Sequence, residues 1–139
     1  MAKCPNMVNH RNLPFPYMAQ FHNSFIKPSL TSGLSALPLS NRDTAKLIKF
    51  EKSLIRHMFG LRKNSPISQL FLFLGIEPIE ISLKRDTLSL FHNSWWNSDN
   101  PVTKINKFLL KNKIHGNYWI WHVDKILKQI HFPSALNLL

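Results

Sequence analysis

Apolar residues recur every three or four positions along most of the chain, a spacing typical of amphipathic helices. The clearest example begins at Ser40, where Ser40 and Asp43 resemble a capping box, and it ends at Phe59, before Gly60. The pattern therefore predicts one long helix with a wide apolar side. That side consists of Leu47, Ile48, Phe50, Leu54, Ile55, Met58 and Phe59.

The same spacing predicts further helices separated by Gly, Pro and Asn turns. Tyr17, Phe21 and Phe25 recur at intervals of four, and Pro28 is expected to kink or end that helix. A weakly patterned stretch, 29–38, follows. Residues 65–75, with a Ser-Pro start and a Gly stop, predict a short helix, although so short a run also fits a buried strand. Three more helices are predicted, over 79–96, from Pro101 to the Gly116-Asn117 break, and over 118–133.

Five or six short helices predict an all-α fold, a small orthogonal bundle. Residues 1–16 contain three prolines and predict an irregular leader, 17–133 a single helical domain, and 134–139 a C-terminal tail without a pattern. A chain of 139 residues with 44% hydrophobic content can bury one core.

Charge is the strongest feature of the composition. The chain has 18 lysines and arginines against seven aspartates and glutamates, a net charge of +11. Such an excess attracts polyanions, of which nucleic acid is the commonest, and an anionic membrane surface is the second candidate. A third interpretation is a basic or A/T-rich coding background, in which lysine and asparagine are simply frequent.

Localisation follows from what the sequence lacks. One cysteine, Cys4, excludes an internal disulfide. No apolar run reaches the length of a membrane span, and the N-terminus has no signal-peptide pattern. We therefore expect an intracellular protein, nuclear or cytoplasmic, without a membrane partner.

Two groups of cations are the candidate nucleic-acid contacts. One lies on the predicted long helix and just after it, and the other on the helix that begins at Pro101. Regularly spaced cations on a helix can follow a phosphate backbone, whereas an ordinary solvated face has the same pattern. Arg56 could instead cover the core with its aliphatic stem. The residues are Lys49, Lys52, Arg56, Arg62 and Lys63 in the first group, and Lys104, Lys107 and Lys111 in the second.

Tryptophans offer a further possibility, because indole rings can stack on bases. Trp95 and Trp121 fall on apolar stripes and are expected in the core, whereas Trp96 and Trp119 are the better candidates for exposure. Cys4, His10 and His22 do not have the spacing of a zinc site, so no metal and no cofactor are expected.

An ordered series of motifs resembles LINE-type, non-LTR retrotransposon reverse transcriptases over about residues 21–96. The central match is Phe50-Glu51-x-x-Leu54-Ile55-Arg56-x-Met58-Phe59-Gly60-Leu61-Arg62, followed by Asn64-Ser65-Pro66 and Leu74-Gly75-Ile76-x-Pro78-Ile79. Upstream, Phe25-Ile26-x-Pro28-x-Leu30-x-x-Gly33 is similar to the family's lead-in, but the usual tyrosine before the glycine and the tryptophan after it are missing.

The resemblance implies the thumb and helical connection that follow the polymerase palm. It also implies contacts with template-primer DNA or RNA, and packing against a palm. The family's catalysis needs paired aspartates that hold two metal ions. Asp43, Asp86, Asp99 and Asp124 each stand apart from other acids, so we expect no catalytic residue and no enzyme activity of this chain alone. The alternatives are a protein-interaction module and a non-functional remnant of a mobile element.

Overall fold

The computed structural model describes residues 13–139, and this part of the chain contains helices and no strand. The predicted class, a small all-α bundle, is confirmed, and six helices lie in the described residues. They are α1 (Phe15–Phe21, continued by a π-helical stretch His22–Ile26 and by Lys27–Thr31), α2 (Asn41–Met58), α3 (Ser68–Leu74), α4 (Ile79–Trp95), α5 (Pro101–Lys111) and α6 (Trp119–Gln129). None of these helices is long and apolar enough to cross a membrane.

Helix α1 starts inside the predicted leader and passes through Pro28. Pro14 caps it and Pro16 lies in its first turn, where a missing amide hydrogen breaks no helical bond. The wider turn His22–Ile26 precedes Pro28, with the Lys27 amide bonded to the His22 carbonyl. A wider turn there moves the backbone that the proline ring would otherwise strike, so the helix continues to Thr31. Residues 1–12, including Cys4 and His10, lie outside the described part.

The aromatic row of α1 lies on the outside of the molecule. Tyr17, Phe21 and Phe25 are each more than half exposed, whereas Met18 and Ala19 are buried. The spacing identified a helix face correctly, but spacing alone does not show which face meets the core.

Helix α2 has the predicted ends. The Ser40 hydroxyl accepts a hydrogen bond from the Asp43 amide at 3.1 Å, as a helix cap requires. At the other end Gly60 has a φ of +64°, and the Leu61 amide bonds to the Arg56 carbonyl across it. Phe50, predicted in the core stripe, is about half exposed.

Helix α3 begins later than predicted, at Ser68, because residues 62–65 form a separate turn closed by the Ser65 amide and the Arg62 carbonyl. Gly75, with a φ of +63°, ends it as expected. The helical interpretation of this run is confirmed over the strand.

Two hydrophobic clusters replace the single core that the sequence suggested. The N-terminal cluster joins α1, α2 and α3, and the C-terminal cluster joins α4, α5 and α6. Helix α4 connects them, since it also contacts α1 and α2. The buried members are Met18, Ala19, Ile55, Phe59, Ile67, Phe71 and Ile76 in the first cluster, and Phe91, Trp95, Leu109, Leu110, Ile120, Val123, Leu127 and Ala135 in the second.

The C-terminal residues are part of the fold, not a separate tail. A 3-10 turn covers Ala135–Leu138, and Ala135 is fully buried. Its amide donates to the carboxylate of buried Asp124 at 2.8 Å. No periodic pattern predicts this turn, because four residues are too few to show one.

Helix α5 carries Val102, Ile105 and Leu109 at helical spacing, but of these three only Leu109 is buried. Val102 and Ile105 are more than half exposed. The core side instead includes Thr103, whose hydroxyl donates to the Ser94 carbonyl at 2.6 Å, and Asn106. Polar residues that find a partner can be buried, and an apolar pattern does not reveal them.

Candidate nucleic-acid interface

Three cations share one side of α2. Lys49, Lys52 and Arg56 are three and four residues apart, which places them along the same helix face. Lys49 and Lys52 are exposed, and Arg56 is half-buried. The predicted strip on this helix therefore exists as a surface feature.

No exposed carboxylate lies along this strip. After Asp43 the only acid on α2 is Glu51, whose side chain is 2% exposed. Asp43 lies at the start of the helix, 3.9 Å from the Lys46 ammonium. Lys49 and Lys52 consequently form no salt bridge on their own helix, although Lys52 interacts electrostatically with buried Glu51.

Arg56 attaches the turn after α2 to the helix. Its Nε donates to the Ser65 carbonyl at 3.0 Å, so part of its bonding capacity serves the fold. That turn carries Arg62 and Lys63, which are both exposed. The five cations of the first group thus lie on one helix and the turn it holds; we call this surface the basic face.

The three lysines of the second group differ in exposure. Lys104 and Lys111 are exposed on α5. Lys107 is half-buried, and its ammonium lies over the ring of buried Trp95, 5.1 Å from the centroid. Such a contact holds the cation by the ring's electron-rich face, so Lys107 has a structural role that the sequence did not indicate.

The acidic residues mostly neutralise other cations. Lys84 pairs with Glu80 at 2.8 Å, and Lys128 with Asp124 at 2.7 Å. Arg85 contacts both Glu77 and Asp86. Among the described residues, the cations of the basic face and of α5 form no salt bridge, and the same holds for Arg42, Lys113 and Lys125.

The two cationic groups belong to different parts of the bundle. Helix α2 contributes Ile55 and Phe59 to the N-terminal cluster, while α5 contributes Leu109 and Leu110 to the C-terminal cluster. Both helices contact α4. The basic face is therefore one unit, and the α5 cations are a second unit.

A buried ionisable pair, His22 and Glu51, was not singled out from the sequence as a site. His22 Nε2 and Glu51 Oε1 are 3.8 Å apart, and neither atom has a hydrogen-bond partner. Glu51 Oε2 accepts from the Ile79 amide at 2.9 Å, at the start of α4. Glu51 falls among the apolar positions of α2. An acid on the core side of a helix could have indicated this buried pair from the sequence.

Burial opposes charge on both members of this pair. Desolvation lowers the pKa of His22 and raises the pKa of Glu51. Lys27, which is also buried, donates to the Glu77 carbonyl, and desolvation lowers the pKa of its ammonium. Glu77 in turn accepts from Ser82, and that hydrogen bond lowers the pKa of the Glu77 carboxyl. These groups join α1, α2 and α4 in one polar contact.

The tryptophans differ in part from the prediction. Trp95 is buried as expected, and Trp96 is 72% exposed. Trp119, predicted to be exposed, packs against the C-terminal cluster, and its indole donates to the Ser35 carbonyl at 2.8 Å. Trp121 is half-buried with its indole bonded to the Ile114 carbonyl. Only Trp96 of the four keeps a largely free ring.

Across residues 13–139, no group of three or more His, Cys, Asp or Glu side chains could hold a metal ion. A cavity of about 240 Å³ lies between α2, α4 and α6. Its lining contains both polar and apolar residues, among them Thr44, Ile48, Leu83, His122 and Lys125.

Comparisons with protein-family models, with curated proteins and with solved structures found no match to this chain. The resemblance to reverse transcriptases rests on the motifs alone, and the basic face rests on the geometry described above.

Proposed function

We propose that this chain is a non-catalytic, basic helical module that binds DNA or RNA through backbone phosphates. The observation that carries the proposal is the basic face, which contains four exposed cations and half-buried Arg56, with no exposed carboxylate on α2 after Asp43. Cations of this kind release counterions from nucleic acid when they bind, which drives association without reading the sequence. Lys104 and Lys111 of α5 add a second phosphate contact, with Lys107 held on Trp95.

The motifs of residues 21–96 support a more specific origin. We propose that the module corresponds to the helical region after the palm of a LINE-type reverse transcriptase, where it would hold the template-primer duplex. On this proposal the polymerase chemistry belongs to a palm outside this chain, and the protein acts in the nucleus or cytoplasm, where nucleic acid is found.

The experiment is a fluorescence-anisotropy titration of the full chain with duplex DNA, duplex RNA and a heteroduplex at several salt concentrations. A triple variant, K49Q/K52Q/K63Q, removes three cations from the basic face. Since each lost phosphate contact removes about 0.9 from the slope of log affinity against log salt on duplex DNA, the slope should fall by about 3.

A matched control, K46Q/K84Q/K128Q, removes the same charge from lysines that already pair with Asp43, Glu80 and Asp124. This control should keep most of the salt dependence. Equal losses in both variants would mean that net charge alone attracts the nucleic acid. Absence of binding at low salt would reject the proposal.

A protein-interaction module is the second candidate. Its support is an exposed aromatic surface on α1 and α3 that the nucleic-acid proposal does not use.

A further inference from the structure

The buried side of α1 is more polar than apolar. Five residues of this helix are buried, and of these only Met18 and Ala19 are apolar. The other three are His22, Lys27 and Thr31. Burial of apolar surface is the main force that holds a helix against a core, and here it comes from few side chains. The aromatic row of α1 adds little, because it lies on the outer side.

Polar atoms on the inner side of α1 are incompletely hydrogen-bonded. His22 Nε2 and Glu51 Oε1 face each other at 3.8 Å, and neither atom has a hydrogen-bond partner. The Asn23 amide group donates to the Gly75 carbonyl at 3.4 Å, which is a long hydrogen bond. A buried polar atom without a partner regains hydrogen bonds when it reaches water. The contact between α1 and α2 is therefore weakened by the groups that form it.

Two buried ionisable groups lie in the same contact. The side chains of Lys27 and Glu51 are 7% and 2% exposed. The Lys27 ammonium donates to the Glu77 carbonyl, and it is attracted by the Glu51 carboxylate. Desolvation nevertheless opposes the charge of both groups, because it lowers the pKa of Lys27 and raises the pKa of Glu51. Separation of α1 from the bundle would return both groups to water.

The chain directly after α1 is held firmly by the rest of the bundle. Gly33, with a φ of +75°, follows the end of the helix and turns the chain. The 3-10 turn Leu34–Ala36 then packs on α4. The Ser35 carbonyl in this turn accepts hydrogen bonds from Thr87 of α4 and Trp119 of α6. Residues 32–33 are thus a boundary between a weakly held helix and a firmly held turn.

We propose that α1 opens as a unit about residues 32–33 while α2 to α6 stay folded around α4. The closed helix is the major form, and the open arm is a minor form of the folded protein. Opening returns the polar inner side of α1 to water and uncovers part of the N-terminal cluster, which includes Ile55 and Phe71. Folded proteins open locally in such units at a lower free energy than global unfolding requires. The proposal does not depend on nucleic-acid binding.

The test compares the reactivity of two buried positions as cysteines, in a Cys4→Ser background of the full chain. Ala19 of α1 is 2% exposed, and Val123 in the middle of α6 is 0% exposed. A buried thiol reacts with 4,4′-dithiodipyridine only when the segment that encloses it opens. Each rate is divided by the rate of the same thiol in the urea-unfolded chain. Ala19→Cys should then react at least about tenfold faster than Val123→Cys.

Two further substitutions separate local opening from global unfolding. Ile120→Val weakens the C-terminal cluster and should speed labelling at position 123 by about two- to tenfold, while labelling at position 19 stays unchanged. Glu51→Gln keeps the acceptor of the Ile79 amide and removes the buried charge, so it should slow labelling at position 19 by about fivefold. Glu80→Gln is the control, since this carboxylate pairs with Lys84 on α4 and should leave that rate unchanged.

Hydrogen exchange followed by mass spectrometry gives the same comparison on the chain without any substitution. The amides of α1 should exchange before those of α6 under native conditions. Equal labelling rates at positions 19 and 123, or equal acceleration of both by Ile120→Val, would show that α1 leaves the bundle only in global unfolding and would overturn the proposal. A rate at position 19 that Glu51→Gln does not lower would equally overturn it.

Discussion

Glu51 is the one acid on the core side of α2, and its environment is poorly suited to a charge. One carboxylate oxygen accepts from the Ile79 amide, while the other has no partner and faces His22. A buried polar atom without a hydrogen bond costs about 1–3 kcal/mol. The pair thus weakens the junction of α1, α2 and α4.

Replacement of Glu51 by glutamine is expected to stabilise the protein at neutral pH. The amide oxygen can still accept from Ile79, and no charge is buried. Because burial raises the pKa of Glu51, its carboxylate opposes folding as pH rises through that pKa. Urea unfolding at pH 7 should show a gain on the order of 1 kcal/mol, which shrinks as the pH falls through the raised pKa toward 4.5 and is absent below that pH. A loss of stability at pH 7 would show that the charge is needed.

The stability of the protein is expected to fall as the solution becomes acidic. Burial lowers the pKa of His22, with the Lys27 cation acting in the same direction and the Asn23 hydrogen bond opposing it. Below about pH 6.5 the unfolded chain therefore binds a proton that the folded chain does not. The free energy of unfolding should drop by up to about 1.4 kcal/mol per pH unit for each such histidine.

Chemical unfolding between pH 5 and 8 measures this effect. His22→Gln should flatten the curve, and the remaining slope should come partly from His122, whose pKa is also lowered by burial. His92→Gln, at an exposed position of α4, serves as the control. Parallel curves for the wild type and His22→Gln would contradict the assignment to His22.

At the scale of helices, the sequence predicted the number of elements and most of their ends. Ser40, Gly60 and Gly75 are local signals, since each acts within its own turn. The side of a helix that meets the core depends on other elements. Phe50, assigned to the apolar side of α2, is therefore about half exposed, and the spacing of Tyr17, Phe21 and Phe25 did not show that their side of α1 faces outward. The contacts of Arg56 with Ser65 and of Lys107 with Trp95 likewise could not be predicted from the sequence, because they depend on how the elements pack in the fold.

The cap of α2 can be tested directly. The Ser40 hydroxyl accepts from the Asp43 amide and donates to the Asp43 carboxylate at 2.6 Å. Ser40→Ala should lower the free energy of unfolding by about 1 kcal/mol, because the amide loses its partner. Ser53→Ala, an exposed change within the same helix, should not destabilise it. Thermal melts of both variants give the comparison, and equal losses would exclude a cap effect.

On the scale of the whole molecule, α4 makes the two hydrophobic clusters interdependent. Its contacts reach α1 and α2 on one side and α5 and α6 on the other. The Ser35 carbonyl adds a second connection, since it accepts from Thr87 of α4 and from Trp119 of α6. We therefore expect the bundle to unfold in one step.

The tryptophans allow a test of this coupling, because all four lie between residues 95 and 121, in the C-terminal half. Ile55→Ala removes a fully buried side chain from the N-terminal cluster and should cost about 2–5 kcal/mol. If α4 couples the two clusters, the loss of stability in the N-terminal cluster also destabilises the C-terminal cluster. The unfolding midpoint measured by tryptophan fluorescence must then fall as far as the midpoint measured by far-UV circular dichroism. Val123→Ala, in the C-terminal cluster, should likewise move both signals together.

Separate midpoints in Ile55→Ala would show that the clusters unfold independently. We expect coupling because α4 is a single helix that reaches both clusters. If the half of α4 that contacts α2 loses those contacts, the half that contacts α5 and α6 cannot stay folded alone. Fraying of that half would expose Ile79 and Leu83, which are both buried and lie on the helix that contacts α2. The burial of these two residues therefore couples the stability of the N-terminal cluster to that of the C-terminal cluster.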